Sequence, residues 1–356
     1  HEEAPRTDEH NGVRITRVSS TSYDRAELAR RAANYFSYLG AAGAYALASP
    51  RPELVLCMTD PPIVGDLGVA VGRRFGAPVL VVSQDVFPEI ATELDRLRNP
   101  VVVGVLGTLV GAYLRRADRI VAIGETMRGR LEAKGAPADR LRVIPNWVDT
   151  RAITPQPRDN EWAAQNGLAS KFVVMHSGNV GHAQDLDSLV RAATFLRDRD
   201  DVQIVIAGSG ARHAEMLALA KRLEVEETVR FLPYQKRERL PFSLSSADLH
   251  VVGLARGLAG YVVPSRLYGI LSAGRPVIAA ADEESETARL VHEVECGIVI
   301  PPGRPELLAR TIRSAADGEY DLEELGRRGR RYVEEEADRT VAMERYRALV
   351  RELLAA

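Results

Sequence analysis

A chain of 356 residues, 46% of them hydrophobic, is longer than one core usually organises, so two domains are expected. Its 47 basic and 49 acidic residues leave a net charge of −2, which excludes the positive field of a nucleic-acid binder. The two cysteines, Cys57 and Cys296, stand in apolar surroundings without metal-site or redox spacing, which excludes a disulfide framework and leaves buried thiols in a reducing compartment.

The chain opens on a polar tract, HEEAPRTDEHNG, followed by an apolar run, VRITRV (13–18), that predicts a strand. AANYFSYLGAAGAYALAS (32–49) is rich in small residues and carries Asn34 and Ser37, which suits a helix packed within a domain rather than a membrane span. Strands are then predicted at ELVLCM (53–58) and PVLVVS (78–83). The apolar run at 101–114 is shorter than the ~20 residues a bilayer requires. Flanked by Arg96, Arg98, Arg115 and Arg116, it reads either as a buried helix of an α/β domain or as an interfacial helix meeting acidic headgroups. Further strands are predicted at RIVAIG (119–124) and LRVIPN (141–146).

The polar, proline-bearing stretch TRAITPQPRDN (150–160) reads as a surface linker. Six more strand runs follow at 171–176, 202–207, 228–233, 248–253, 276–281 and 297–302, alternating with helical patterns. This rhythm predicts parallel sheets covered by helices on both faces, hence an α/β chain with two Rossmann-like, doubly wound domains. The expected divisions are 1–149, 150–335 and a carboxyl-terminal helical segment, 336–356, packing back on the first domain. The first half shows fewer strands and leaves room for a missing βαβ unit at its start. No leader segment is recognised.

Ligands of open α/β sheets collect at the carboxyl ends of the strands. HSGNVGHAQDLDSLV (176–190) ends a strand in Gly178 and Gly181 before a helix, a turn that suits a phosphate or is simply tight. Asp185 and Asp187 read as first-turn acids of that helix, and His182 as a loop histidine within reach of a phosphate or of solvent. IAGSGARHAEM (206–216) lacks the third glycine of a dinucleotide fingerprint and follows the second strand of its domain, which argues against a nicotinamide or flavin cofactor; Arg212 is a candidate phosphate contact. ARGLAGYVVPSRLYGILSAGRPVIAA (255–280) is the most specific segment. Pro264 enters a helix, and Ser265 and Arg266 fall in its first turn, where free amides and a guanidinium favour a diphosphate.

HSGNVG, IAGSG, RFLPYQ, PSRLYGILSAGRPVIA and CGIVIPPG together resemble glycosyltransferase family 4, of the GT-B fold. The likeness is strongest to bacterial transferases that build exopolysaccharide and O-antigen units of the colanic-acid type, which carry motifs similar to TDPP (59–62), SQDVFPE (83–89) and IPNWVD (144–149). The resemblance implies transfer of a hexosyl or N-acetylhexosaminyl unit, with retention, from a nucleotide-sugar donor, UDP-linked by expectation, to a lipid-linked or saccharide acceptor. It implies no cofactor and no metal; a cytoplasmic location is expected, with peripheral contact to the anionic inner face of the membrane if the arginine-flanked run at 101–114 is the interfacial helix.

Carried over by position, Gly178, Asn179 and Gly181 line the donor phosphates, Pro233, Tyr234 and Gln235 edge the nucleobase, and Ser265 and Arg266 hold the diphosphate. Asp85 and Glu89 face the acceptor, either one able to orient its hydroxyl or take its proton; for Asp85 the alternative is a helix cap. The family's paired glutamates are replaced by Tyr261 and Gly269, so the ribose contact is expected from Glu283, Glu284 or Glu286. A nucleotide-sugar 2-epimerase and a noncatalytic nucleotide-sugar scaffold are the rival readings.

Overall fold

The structure is a computed structural model that describes residues 5–23 and 28–355. The run at 13–18 does form a strand, but not in a parallel sheet. β1 (Thr7–His10) and β2 (Val13–Thr16) make an isolated antiparallel hairpin. Asn11 and Gly12 join them with φ of 51° and 78°, the turn that an Asn-Gly pair favours because glycine, and to a lesser degree asparagine, tolerate positive φ.

The amino-terminal domain continues with α1 (Leu28–Ala48), β3 (Val55–Cys57), α2 (Val64–Phe75), β4 (Val79–Ser83), α3 (Glu89–Glu93), α4 (Pro100–Arg116), β5 (Arg119–Ala122), α5 (Glu125–Ala133) and β6 (Leu141–Val143). Its four parallel strands lie in the sequential order β3-β4-β5-β6. Right-handed crossovers that advance in one direction put every connecting helix on one face. There Val79, Val81, Ile120 and Ala122 meet Val69, Val110, Leu114, Met127 and Leu131. α1 is less enclosed than its composition suggests: it lies along α2 with Gly43 over Leu67, while Phe36, Tyr45 and Leu47 are exposed.

The carboxyl-terminal domain comprises α6 (Glu161–Gln165), β7 (Phe172–Asn179), α7 (Leu186–Ala192), β8 (Val202–Ser209), α8 (His213–Arg222), β9 (Val229–Leu232), α9 (Leu240–Ser245), β10 (Leu249–Gly253), α10 (Arg266–Ser272), β11 (Val277–Ala280), α11 (Glu286–Val294), β12 (Gly297–Ile300), α12 (Pro305–Ala316) and α13 (Leu322–Glu335); α14 (Arg339–Ala355) ends the chain. All six strands are parallel, in the order β12-β11-β10-β7-β8-β9. The order reverses between β7 and β10, and that gap is where an open sheet can admit a ligand.

Two passages of chain join the domains and lie side by side. Val148 N–H donates to the Ala337 carbonyl at 3.0 Å, and Arg339 N–H donates to the Val148 carbonyl at 2.8 Å. Asp338 accepts from the Thr150 amide and hydroxyl at 3.2 and 2.7 Å. Desolvation works against its charge, yet these bonds and those from Thr340 hold its carboxyl well below the usual range. α14 then crosses to the other face of the first sheet, where Ala342, Leu349 and Leu353 cover Leu80, Val82 and Val121. The last helix of the chain therefore completes the core of its first domain.

Candidate functional site

A cavity of about 690 Å³ occupies the reversal between β7 and β10 and reaches the interdomain passage at Trp147 and Val148. Strand β7 carries it on Ser177, Gly178 and Asn179, and the turn into α10 on Pro264, Ser265 and Arg266. Gly178 has φ of 133°, and a Cβ there would sit 3.8 Å from Arg266 Cδ, so the glycine keeps the backbone open beside the guanidinium.

Arg266 is only half-exposed, and its charge is not compensated. Its Nη2 donates to the Gly253 carbonyl at 2.9 Å, its Nε is buried without a partner, and it forms no ion pair among the described residues. Burial pulls its pKa down to about 10, so it stays cationic at neutral pH. His176, buried beneath the loop, is held neutral by desolvation and by the charge of Arg266, and its Nε2 donates to the Asn179 carbonyl at 3.3 Å. A partly desolvated cation without a counter-ion is costly unless an anion completes it. The geometry suits a diphosphate.

Two residues of the nucleobase expectation, Tyr234 and Gln235, line the cavity with Leu240 and Leu244. Tyr234 is 66% exposed and offers its ring, whereas Gln235 accepts from Trp162 Nε1 at 2.9 Å and donates to the Pro233 carbonyl at 2.7 Å. The Gln235 amide is thus half engaged within the protein. Pro233 itself does not line the cavity.

Several other expected contacts lie elsewhere. Gly181 is off the lining, its amide donating to Gln184 Oε1 at 3.0 Å. Arg212 is clamped by Asp187 at 2.6 Å and by Glu215 at 2.5 Å, so its charge is already neutralised away from the cavity. Asp185 accepts from Ser188 and from the Gly303 amide, and His182 is exposed off the lining. Of the three glutamates expected near the ribose, none lines the cavity. Glu283 meets His292, Glu284 faces Arg130, and Glu286 pairs with Arg289 and crosses to Thr126 in the first domain.

On the amino-terminal side, Asp85 stands at the cleft in an antiparallel bridge with Val262, reinforced by Val86 N–H donating to the Tyr261 carbonyl at 2.9 Å. Burial first, and the neighbouring Asp60 second, push its carboxyl up to about 6. Glu89 instead pairs with the mostly buried Lys134 at 2.5 Å, inside its own domain. Sequence reasoning gave Trp147 no role, although it lies in the IPNWVD motif and lines the cavity while 42% exposed.

The family model described as "Glycosyl transferase 4-like domain" matches residues 1–147, and that described as "Glycosyl transferases group 1" matches residues 158–332. The chain belongs to the glycosyltransferases of this family 4 and group 1 type. Among its relatives, "Probable glycosyltransferase WbjE" of Pseudomonas aeruginosa is 27% identical over 315 residues, covering 85% of this glycosyltransferase and 76% of WbjE. WcaI of Escherichia coli K12, named for colanic acid biosynthesis, is 28% identical over 57% of this chain and only 50% of its own length. The glycosyltransferase has the GT-B fold. Sucrose-phosphate synthase from Thermosynechococcus elongatus superposes with a TM-score of 0.80 at 20% identity, covering 99% of this chain and 87% of that one. HepE of Anabaena, solved in complex with UDP, superposes with a TM-score of 0.71 at 17% identity, covering 89% and 83%.

Proposed function

We propose that this glycosyltransferase moves a hexosyl or N-acetylhexosaminyl unit from a UDP-sugar to a saccharide or lipid-linked acceptor in cell-surface polysaccharide synthesis, with retention at the anomeric carbon. The observation that carries the reading is Arg266: a guanidinium without a counter-ion, at the strand-order reversal, beside an open glycine turn. The leaving diphosphate gathers negative charge as the sugar departs, so a preorganised cation there stabilises the transition state more than the ground state. Asp85 is the acceptor-side carboxylate, facing the donor loop across the cleft and poised near neutrality to take or orient a hydroxyl proton. Glu89 is less suited, because Lys134 already neutralises it.

The naming of WcaI for colanic acid biosynthesis supports the polysaccharide setting, and the UDP in HepE supports the base. The cavity lining contains no carboxylate, which speaks against an epimerase needing its own acid and base around the donor sugar. We propose a cytoplasmic location with peripheral contact to an anionic membrane through α4, whose Val101 and Val105 are 72% and 54% exposed while Val110 and Leu114 are buried. No helix among the described residues is long and apolar enough to cross a membrane. The test is donor consumption with and without added saccharide acceptor: UDP release that depends on acceptor supports transfer, and sugar isomerisation without acceptor overturns it.

A further inference from the structure

The donor cavity is lined by one charged side chain, Arg266, and by no carboxylate. In many nucleotide sites an Asp or Glu accepts hydrogen bonds from the ribose hydroxyls. Here the three glutamates nearest in sequence are each committed elsewhere, and the Gln235 amide, bonded to Trp162 and Pro233, has only a neutral N–H and a neutral lone pair left to offer. What the cavity offers instead is an apolar wall. Ile153 Cδ1 and Leu244 Cδ1 both approach Gly269, and Trp147 presents an indole that is 42% exposed. The indole is firmly mounted, since the next residue, Val148, is hydrogen-bonded through both its amide and its carbonyl to the second interdomain passage.

We infer that the pentose of the bound nucleotide rests on the wall of Trp147, Ile153 and Leu244 with no carboxylate on its hydroxyls, so that 2′-deoxyribonucleoside diphosphates, and sugars carried on them, are ligands alongside the ribonucleotides. This rests on the donor reading of the same cavity and narrows it to a substrate class. A hydrogen bond to a carboxylate is worth roughly 10- to 150-fold in affinity, one to a neutral group less than about 10-fold. The neutral groups on the lining, such as Asn179 and Ser177, can therefore discriminate only weakly.

Isothermal titration of the whole chain with UDP and dUDP, which differ only in the 2′-hydroxyl, tests it. The expected result is a dUDP affinity within about 10-fold of UDP; a larger preference for UDP overturns the inference while leaving the donor reading intact. Absence of UDP binding sinks the donor reading itself. Gly269→Glu supplies the missing group: a Cβ there meets Leu244 and Ile153 at 3.7 and 3.8 Å, ordinary contact, and the position is helical. This variant should raise the preference for UDP above about 10-fold. An unchanged ratio, in a variant whose circular dichroism matches wild type, places the pentose elsewhere and overturns the inference. Trp147→Ala should weaken UDP and dUDP alike by roughly 10-fold and leave pyrophosphate binding unaltered. Unaltered UDP affinity removes Trp147 from the wall.

Discussion

The Glu286 carboxylate, on the carboxyl-terminal domain, accepts a hydrogen bond from the Thr126 backbone amide at the head of α5 in the other domain, at 3.3 Å. An acid at the positive end of a helix is favourable, and here it is 5% exposed and steadied by Arg289. Nearby, Arg130 Nε donates to the Ala259 carbonyl at 3.2 Å and its guanidinium lies 4.7 Å from the Tyr261 ring centroid. A residue expected to serve the ribose instead fastens one domain to the other. Glu286→Ala should loosen the seam, raising the radius of gyration in small-angle scattering and lowering turnover several-fold. Gly124→Ala should do the same without touching a charge, because its Cβ would lie within 2.6 Å of the Glu286 carboxyl group. Unaltered scattering in both variants would show that the seam does not hold the domains together.

Arg266→Ala should lower turnover by roughly 100- to 1,000-fold, the usual cost of removing one preorganised group from a developing anion. Arg266→Lys should recover only part of that loss, since an ammonium keeps the charge and loses the planar fork. Steady-state kinetics decide; a wild-type turnover and donor KM in Arg266→Ala would refute the diphosphate role.

Asp85 should impose an acid limb on turnover with an apparent pKa near 6, and Asp85→Asn should flatten the profile at a low level. The same residue makes a stability prediction of opposite sense. Its folded pKa is raised, so its contribution to stability is present below the unfolded value near ~3.9 and is lost as pH rises through about 6. Asp85→Asn should therefore have a higher Tm than wild type at pH 7.5 and no advantage near pH 4. Equal Tm values at pH 7.5 would mean that the carboxylate is not strained by burial.

Gly208→Ala should damage the donor site from beneath. A Cβ at Gly208 would lie 1.8 Å from the Gly178 carbonyl oxygen, and both belong to adjacent strands that cannot part without breaking their ladder. The expected cost is at least about 1–3 kcal/mol of stability with loss of UDP binding. Thermal denaturation with and without UDP measures both, and a wild-type Tm would contradict the packing.

Val101→Glu together with Val105→Glu should reduce flotation with anionic liposomes, because those side chains are the exposed apolar positions on the first half of α4. Of the flanking arginines, Arg98 is already paired with Asp95, so the apolar substitutions are the stronger test. Undiminished flotation would place the membrane contact elsewhere.

By itself the sequence determined every parallel strand of both domains, because short apolar runs rich in Val and Ile, bounded by turn residues and alternating with helical patterns, suit the strands of a covered parallel sheet. It also determined the Gly178 turn and the Pro264 helix entry that line the cavity beside Arg266, since glycine freedom and first-turn position are local properties. The Asn11-Gly12 turn reads along the chain only as part of a polar tract, because the strand that precedes it, Thr7–His10, is made of polar residues and carries no apolar run. Tertiary structure alone decided which charges remained available. Arg212 and Arg266 look equivalent along the chain, yet Asp187 and Glu215 fold against the first and no carboxylate among the described residues pairs with the second. Glu89 is claimed by Lys134 and Glu286 by Thr126, partners 45 and 160 residues away. Backbone preference is written in neighbouring residues, whereas a charge is spent or free according to what distant segments bring within a few ångströms of it.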